Sequence, residues 1–291
     1  MTAAPERFRI RFWGARGTCP SPGPRTVRYG GNTSCVEVRT VSGALLVLDA
    51  GTGIRALGAL LQQEADQSVV HLFLSHRHVD HVLGLPHFAP LVTQRRPVCL
   101  HCGNSDAATL RPFLQALLSP PIFPLLDGVM DRMETCDWDD VDTRKVADVG
   151  AIRVHRLDAN HPGAAAVLRI DDEFGPAIAY APDNELGYHD GDAHTVAWRE
   201  ALVRDLRGVA VLIHDATYTD EELSRHSGWG HSSAEESTRF ALEAGARMLV
   251  LFHHHPDRSD DGVDAMLDRC REIAGGALEV VAAYEGQEIA V

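Results

Sequence analysis

Long apolar runs and a surplus of basic residues are both missing from this 291-residue chain. No apolar stretch approaches the roughly 20 residues that a membrane-spanning helix needs, and residues 1–7 lack the apolar core of a secretory signal. We therefore expect a cytoplasmic protein that does not contact a membrane. The 41 acidic residues outnumber the 27 basic ones and give a formal net charge of −14, which argues mildly against a duplex nucleic-acid partner.

Cysteine is sparse, and its scatter argues against the disulfide framework of a small secreted domain. The six residues are Cys19, Cys35, Cys99, Cys102, Cys136 and Cys270. Residues 99–102, of sequence CLHC, suggest a zinc knuckle, but no second cysteine pair completes one and the run is typical of a strand. We therefore expect buried free thiols.

Linkers rich in glycine, serine or proline are also absent, so we expect a single domain over residues 1–291. The hydrophobic content of 45% supports a sizeable core. Residues 103–150 are the least regular part of the chain and carry Trp138 between acidic residues. This stretch is either a cap or insert over the site or an ordinary connection.

Strand and helix patterns alternate through both halves of the chain. The strand-like runs are residues 8–13, 35–39, 44–48, 69–74, 98–102, 152–157, 165–170, 177–181, 209–213, 248–252 and 278–284. Helical periodicity covers residues 54–65, 107–118, 194–206, 234–244 and 261–273. Two strand-rich halves with helices between them indicate two sheets packed face to face, with the helices outside.

Metal-binding side chains are concentrated in residues 76–81, of sequence HRHVDH, directly after an apolar strand. Imidazole and carboxylate are the groups that bind zinc and similar divalent ions. Alternation along an extended segment places His76 and His78 on one side, where both can hold one ion. The chain then turns, so Asp80 and His81 face elsewhere and can hold a second ion.

This run resembles the H-x-H-x-D-H signature of the metallo-β-lactamase superfamily, and further elements of that family follow in order over nearly the whole chain. The resemblance implies an α+β fold, an αββα sandwich of two mixed β-sheets with helices on the outer faces. It also implies that His161 is a third metal histidine and that Asp183 bridges two ions. Residues 253–255 are three adjacent histidines. Of these, His253 is favoured as the last ligand because it is the first residue past the strand at 248–252.

The implied centre holds two divalent ions, most readily zinc, although manganese or iron also suits mixed nitrogen and oxygen ligands. The first ion is held by His76, His78 and His161, the second by Asp80, His81 and His253, and both by Asp183. Two cations make a water between them acidic enough to be hydroxide at neutral pH, which predicts metal-assisted hydrolysis.

Several segments resemble the ribonuclease Z and cyclic phosphodiesterase branch of that superfamily. The signature is followed by Gly-Leu-Pro at residues 84–86, and the complete pair of Asp80 and His81 lets both metal sites form. Residues 228–233 resemble the Gly-His-Ser-Thr segment of this branch, whose histidine acts on the phosphate and the leaving group. By this resemblance His231 is catalytic together with Asp80, and Asp215 orients His231.

The surroundings of His231 support that role without the resemblance. Ser233 begins a capping box with Glu236, so a helix starts here, and its exposed backbone N–H groups suit an anion. A histidine at this position can donate a proton to a departing alkoxide.

The glycine-rich loops 14–20 and 29–34 look like the substrate-side loops of the branch.

One departure from the branch concerns the substrate. Short ribonuclease Z enzymes carry a long basic arm between the third histidine and the bridging aspartate, whereas residues 162–182 of this chain contain a single arginine, Arg169. We therefore expect a small phosphodiester such as a cyclic nucleotide, with tRNA or other nucleic acid an unlikely partner. A hydrolase of thioesters or lactones and a non-catalytic, metal-bound ligand sensor are the alternatives. A homodimer is possible by analogy.

Overall fold

The computed structural model describes residues 7–93, 95–102, 107–124, 129, 133–136, 139–141, 144–149, 151–173, 175–187 and 193–291. Within these residues, fifteen strands form one seven-stranded and one eight-stranded sheet. Among the described residues no helix is both long enough and apolar enough to cross a membrane.

Seven strands form the first sheet, in the spatial order β15, β1, β2, β3, β4, β5, β6. They are β1 (Phe8–Gly14), β2 (Cys35–Thr40), β3 (Leu45–Leu48), β4 (Val70–Leu74), β5 (Val98–Cys102), β6 (Met133–Thr135) and β15 (Glu288–Ala290). Pairing is antiparallel from β15 to β3 and parallel from β3 to β6. The sheet is therefore mixed, and its parallel half leads into the HRHVDH run.

Eight strands form the second sheet, in the spatial order β14, β13, β12, β11, β10, β9, β8, β7. They are β7 (Asp139–Val141), β8 (Arg144–Val149), β9 (Ile152–Asp158), β10 (Ala166–Asp172), β11 (Ala177–Ala181), β12 (Val211–Asp215), β13 (Met248–Phe252) and β14 (Glu279–Ala282). The strands β11 to β14 run parallel, so their carboxyl ends meet at one edge.

Helices flank both sheets, and the longer ones pack on the outer faces. They are α1 (Ile54–Leu61), α2 (Val79–Val82), α3 (Ala89–Thr93), α4 (Ala107–Leu117), α5 (Ala193–Asp205), α6 (Asp220–Leu223), α7 (Ala234–Ala244) and α8 (Asp260–Ala274), with a 3-10 turn at Leu85–His87. The helix α7 begins where the sequence predicts, since the Ser233 side chain accepts a hydrogen bond from the Glu236 N–H.

The core has the three parts that a four-layer sandwich requires. Phe12, Phe73 and Phe252 are buried between the sheets, where the apolar faces of both sheets meet. Leu57 of α1 packs on the outer face of the first sheet, and Phe240 of α7 packs on the outer face of the second. The predicted αββα sandwich is therefore confirmed.

The strands around the site are close to their predicted positions, with one informative shift. Residues 209–213 were predicted as a strand, but β12 lies at Val211–Asp215. Ala210 precedes this strand, and its N–H donates to the carbonyl of Ala177, the first residue of β11. Asp215 consequently lies at the carboxyl end of β12, beside the ends of β11 and β13.

The cysteines depart from the sequence expectations. Cys99 and Cys136 are joined as a disulfide with their Cα atoms 5.9 Å apart, and Cys19 is exposed, so the expectation of buried free thiols is wrong for these three residues. The sequence does not indicate this pairing, because Cys136 reaches Cys99 only when β6 lies beside β5.

The stretch 103–150 contributes strands to both sheets. Trp138 lies outside the described residues, and the cap over the site stays a prediction.

The backbone around α2 is packed tightly against the loop that follows β3. The Ala50 N–H donates to the His81 carbonyl (2.8 Å), and the Gly84 N–H donates to the Ala50 carbonyl (2.9 Å). A Cβ atom on Gly84 would lie only 2.1 Å from the Gly51 carbonyl oxygen. The Gly-Leu-Pro element therefore has a local physical role, which is to let α2 approach this loop.

Candidate metal centre

Loops at one edge of the sandwich bring all seven predicted metal ligands together. Each ligand lies past the end of a strand or in the short helix α2. In chain order they are His76, His78, Asp80, His81, His161, Asp183 and His253. The structure thus places them as the sequence analysis expected, while their role as metal ligands stays a prediction.

Three imidazoles and one carboxylate form the first cluster, with ligand atoms within 4.8 Å of one another. His78 Nδ1 lies 3.0 Å from His161 Nε2. Asp183 Oδ2 lies 3.7 Å from His76 Nε2 and 3.6 Å from His161 Nε2. Ligand atoms at about 2.0–2.2 Å from one zinc ion are separated by roughly 3 Å or slightly more, so these spacings suit a single ion.

The second cluster lies on the other side of Asp183. Asp80 Oδ2 is 3.2 Å from His81 Nε2 and 3.1 Å from His253 Nε2. Asp183 Oδ1 is 3.0 Å from His81 Nε2 and 3.3 Å from His253 Nε2. The two oxygens of Asp183 therefore face different clusters, which is the arrangement expected of a bridging carboxylate.

Buried polar atoms in this centre fit a metal pair. His76 Nε2, His81 Nε2 and Asp183 Oδ1 are buried and have no hydrogen-bond partner among the described residues. The contact of 3.0 Å between His81 and Asp183 does not have the angles of a hydrogen bond. Buried polar atoms are normally satisfied, so three unsatisfied ligand atoms within these two clusters indicate that the centre holds cations.

The electrostatics also favour positive charge in the centre. Burial lowers the pKa of His81, but the carboxylates of Asp183, Asp80 and Asp49 outweigh it and hold that pKa well above its usual value. Burial lowers the pKa of His76 well below its usual value, which keeps that imidazole neutral and able to bind a metal. Three buried carboxylates thus require compensation by a cation or a proton.

The Nδ1 atoms of four imidazoles are held by partners, which turns each Nε2 toward the centre. The pairs are His76 with Ser75 Oγ (3.0 Å), His81 with Asp49 Oδ2 (2.7 Å), His161 with the Gly230 carbonyl (2.8 Å) and His253 with Thr217 Oγ1 (3.0 Å). A carboxylate or a carbonyl can only accept, so the proton of His81 and of His161 is on Nδ1. Metal-ligating histidines are oriented in the same way.

Asp49 contacts the predicted metal centre, although the sequence analysis did not single it out. It is fully buried and accepts hydrogen bonds from the Ser75 N–H (2.7 Å), the Ser75 hydroxyl (2.8 Å) and the Tyr180 hydroxyl (2.8 Å), as well as from His81. One carboxylate therefore orients His81 directly and His76 through Ser75. Its sequence signal is its place between the apolar strand β3 and the glycine-containing turn of residues 50–53.

The loop after β1 packs directly against the second cluster. The Thr18 N–H donates to Asp80 Oδ2 (2.8 Å), and a Cβ atom on Gly17 would lie 2.3 Å from His253 Nδ1. Arg16 is 1% exposed and donates to the carbonyls of Gly30, His255 and Arg258. This glycine-rich loop therefore positions predicted ligands, a role that the sequence analysis missed.

His231 lies beside the predicted ligands, bonded to Asp215. Its Nδ1 is 2.7 Å from Asp215 Oδ2 and 4.0 Å from Asp183 Oδ2, and its ring stacks on that of His253 with centroids 5.0 Å apart. Burial lowers the pKa of His231, but Asp215, Asp183 and Asp80 outweigh burial and raise it to about 9. The predicted pairing of His231 with Asp215 is therefore present in the structure.

The three adjacent histidines have different environments. His253 faces both Asp80 and Asp183, whereas His254 is buried and bonds through Nε2 to the Ala283 carbonyl (2.9 Å). His255 is half-buried, and its Nδ1 accepts a hydrogen bond from the Asp257 N–H. The geometry thus supports the choice of His253, and His254 has a structural contact.

Strained backbone is concentrated around this centre. Thr18, Asp49 and His253 have φ angles of 64°, 62° and 60°, which non-glycine residues seldom adopt. Each of them contacts a predicted ligand or is one. Such conformations persist where surrounding contacts over-determine them, which is common at functional sites.

Comparisons with known proteins identify the family. A family model described as a beta-lactamase superfamily domain matches residues 45–254. The chain belongs to this superfamily. Among curated relatives, ribonuclease Z of Haloarcula marismortui is 27% identical over 320 residues, covering 97% of this chain and 96% of that protein. An uncharacterised protein of Mycobacterium tuberculosis is 32% identical over 224 residues, covering 75% of this chain and 72% of that protein.

Solved structures show the same fold. The metallo-beta-lactamase fold protein YhfI from Bacillus subtilis aligns with a TM-score of 0.71 at 17% identity, over 99% of this chain and 100% of that one. Unliganded yeast PDE1 aligns with a TM-score of 0.70 at 14% identity, with the same coverage. These likenesses show that the chain has the metallo-β-lactamase fold. A relative named ribonuclease Z counts against the expectation that nucleic acid is an unlikely partner.

We predict that Asp49→Asn lowers the affinity for divalent metal about 10- to 100-fold, although Asp49 faces His81 rather than the ion position. The variant replaces one acceptor oxygen of Asp49 by an amide donor and removes the negative charge, which weakens the bonds that fix two imidazoles. Competition with a chelator measures the affinity, and Asp66→Asn serves as the control because Asp66 is exposed. Unchanged metal affinity in the Asp49 variant would contradict the orienting role.

Proposed function

We propose that this chain is a dinuclear-metal phosphodiesterase that hydrolyses small phosphodiesters such as cyclic nucleotides. The observation that carries the proposal is the hydrogen-bonded pair of His231 and Asp215 beside a divided cluster of imidazoles and carboxylates. Such a pair suits transfer of a proton to a leaving oxygen next to two cations. Hydrolysis of a thioester has less use for a separate acid, because its thiolate leaving group is far less basic than an alkoxide.

The ligands would be divided as the two clusters suggest. His76, His78 and His161 would hold one divalent ion, Asp80, His81 and His253 the other, and Asp183 both. When bound, such a pair supplies a water that ionises near neutral pH and positive charge against the attacked phosphoryl group. The remaining tasks, which are orientation and proton transfer, belong to the chain's own side chains.

Asp215 would keep His231 in one orientation and one protonation state. Its Oδ2 accepts from His231 Nδ1, and its Oδ1 accepts from the Thr217 N–H (2.9 Å) and hydroxyl (2.7 Å). Because Nδ1 is taken by Asp215, Nε2 of His231 is the atom that can donate to a leaving oxygen. Asp215 is fully buried, so its position is fixed before any substrate binds.

The loop that carries His231 is anchored by Glu185. The two carboxylate oxygens of this buried residue accept from the Gly228 N–H (2.8 Å) and the Gly230 N–H (2.7 Å). The Gly230 carbonyl in turn holds His161 Nδ1. The anchor therefore fixes the spacing between the proposed proton donor and a proposed ligand.

An aromatic surface beside His231 suits a planar substrate group. Trp229 is 60% exposed, and its ring lies 5.0 Å from that of His226, which stacks on Tyr218 at 4.6 Å. The Tyr218 ring lies 6.1 Å from His231. An exposed aromatic ring such as that of Trp229 can stack on a nucleobase, and this favours a nucleotide among small phosphodiesters.

Endonucleolytic cleavage of RNA is the second candidate, favoured by the relatives named ribonuclease Z. The segment between His161 and Asp183 contains the hairpin β10–β11, and its Arg169 is bonded to Asp171 rather than left for a phosphate. No long basic arm lies in the described part of residues 162–182. The net charge of −14 also opposes a polyanion.

We predict that His231→Ala lowers kcat for a cyclic nucleotide by about 10²- to 10⁴-fold, because general acid catalysis is lost. Both metal ions are retained, since Nδ1 of His231 is bonded to Asp215 rather than facing an ion. Steady-state kinetics and metal analysis of the same preparation measure both quantities. The control is His87→Ala, which alters an exposed histidine. Loss of metal along with activity would contradict the proton-donor role.

We predict that Trp229→Ala raises KM for a cyclic nucleotide about tenfold, since stacking a base on an aromatic ring contributes about 1–3 kcal/mol. Hydrolysis of a cyclic ribose phosphate without a base should be unchanged in the same variant. The wild-type chain is assayed in parallel on precursor tRNA, a lactone and a thioester. Faster turnover of any of these three would refute the assignment to small phosphodiesters.

A further inference from the structure

A second cluster of nitrogen and sulfur donors lies on the first sheet, away from the candidate metal centre. His71 is on β4, Cys99 and His101 are on β5, and Cys136 follows β6 directly. His71 is opposite Cys99 in the register of these parallel strands. The Cys136 N–H bonds to the Leu100 carbonyl, which brings the fourth residue beside β5.

Strand alternation places these side chains on the face that looks toward the second sheet. Phe73, two residues after His71, belongs to the core between the sheets, and its ring stacks on that of His101 with centroids 4.2 Å apart. Cys99 and His101 are each 4% exposed. Two of the four residues are therefore buried, His71 and Cys136 are partly exposed, and the contact with Phe73 holds the His101 ring in place.

Two of the distances between donor atoms are close to those around one tetrahedral ion. His71 Nδ1 lies 3.4 Å from His101 Nε2, and Cys99 Sγ lies 3.2 Å from the same Nε2. Zinc at about 2.0–2.1 Å from nitrogen and about 2.3 Å from sulfur separates its ligands by roughly 3.3–3.8 Å. Cys136 adds the fourth donor, since it is bonded to Cys99 in the structure.

We propose that, in the reduced chain, His71, Cys99, His101 and Cys136 bind one structural zinc ion. The disulfide and the zinc site are alternative states of the same residues. A dithiol reductant breaks the disulfide and is itself oxidised, which leaves two protonated thiols, and binding of Zn²⁺ then releases two thiol protons. The CLHC run thus contributes two ligands, with the others supplied by the neighbouring strand and by the residue after β6.

Charge balance makes this buried position suitable. Two thiolates and two neutral imidazoles around Zn²⁺ give a complex with no net charge, which removes most of the cost of burying an ion. The site would join β4, β5 and the residue after β6, at the end of the first sheet. We therefore expect a role in stability rather than in the chemistry at the carboxyl edge.

Cobalt substitution tests the proposal, because thiolate ligands give Co²⁺ a charge-transfer band in the near ultraviolet. The ligands proposed for the catalytic centre are nitrogen and oxygen atoms, so that centre does not produce this band. We expect reduced wild-type protein loaded with Co²⁺ to show the band, and the oxidised protein to gain it only after a dithiol is added. Absence of the band from the reduced protein would overturn the proposal.

Variants identify the sulfur ligands. Cys99→Ser should lower the intensity of the band to half or less and weaken the binding of one ion per chain, whereas Cys19→Ser, which alters an exposed cysteine, should change neither. Loss of the band in the Cys19 variant with retention in the Cys99 variant would overturn the assignment. His71→Ala, at a partly exposed position, should weaken the tetrahedral cobalt spectrum, and it provides the test if Cys99→Ser does not fold.

Discussion

The candidate metal centre depends on the interaction between buried carboxylates and the imidazoles that they face. Asp183 is 2% exposed and its two oxygens face two separate sets of histidines, so its charge is not balanced by water. An uncompensated buried carboxylate is costly, and this cost selects either bound cations or protonated imidazoles. Among the described residues, the Nε2 atoms of His76 and His81 have no hydrogen-bond partner, which favours bound cations over protonated imidazoles.

The sheets provide the precision that this arrangement requires. In each sheet the parallel strands end at the same edge, so short loops after β4, β11 and β13 deliver side chains from distant parts of the sequence to one place. Ligands on loops would be mobile without support. Asp49, Thr217 and Glu185 supply that support by holding imidazoles or backbone from behind. Strained residues such as His253 are tolerated because these contacts hold them.

Much of the fold and of the site could be predicted from the sequence because both rest on local patterns. The strands β5, β11 and β13 and the helix α7 have the predicted bounds, since apolar runs, turns and caps define them locally. The short strands β6, β7, β8 and β15 were missed, because three to six residues with many polar side chains give no clear pattern. The residues around His231 were predicted from a motif and a cap, both of which are local.

The missed contacts share a different physical property, which is that they depend on register between strands far apart in the sequence. Asp49 reaches His81 only because β3 lies beside β4, and Cys136 reaches Cys99 only because β6 lies beside β5. Arg16 is a buried arginine that binds carbonyls, and nothing in its sequence context distinguishes it from a surface residue. Such roles follow from the assembled sheets and not from residue spacing.

Anomalous diffraction from crystals grown with a divalent transition metal tests the central claim most directly. We predict two separate peaks at the candidate metal centre, one on each side of Asp183. The first should be surrounded by His76, His78 and His161, and the second by Asp80, His81 and His253. One peak, or peaks that Asp183 does not contact, would contradict a dinuclear centre.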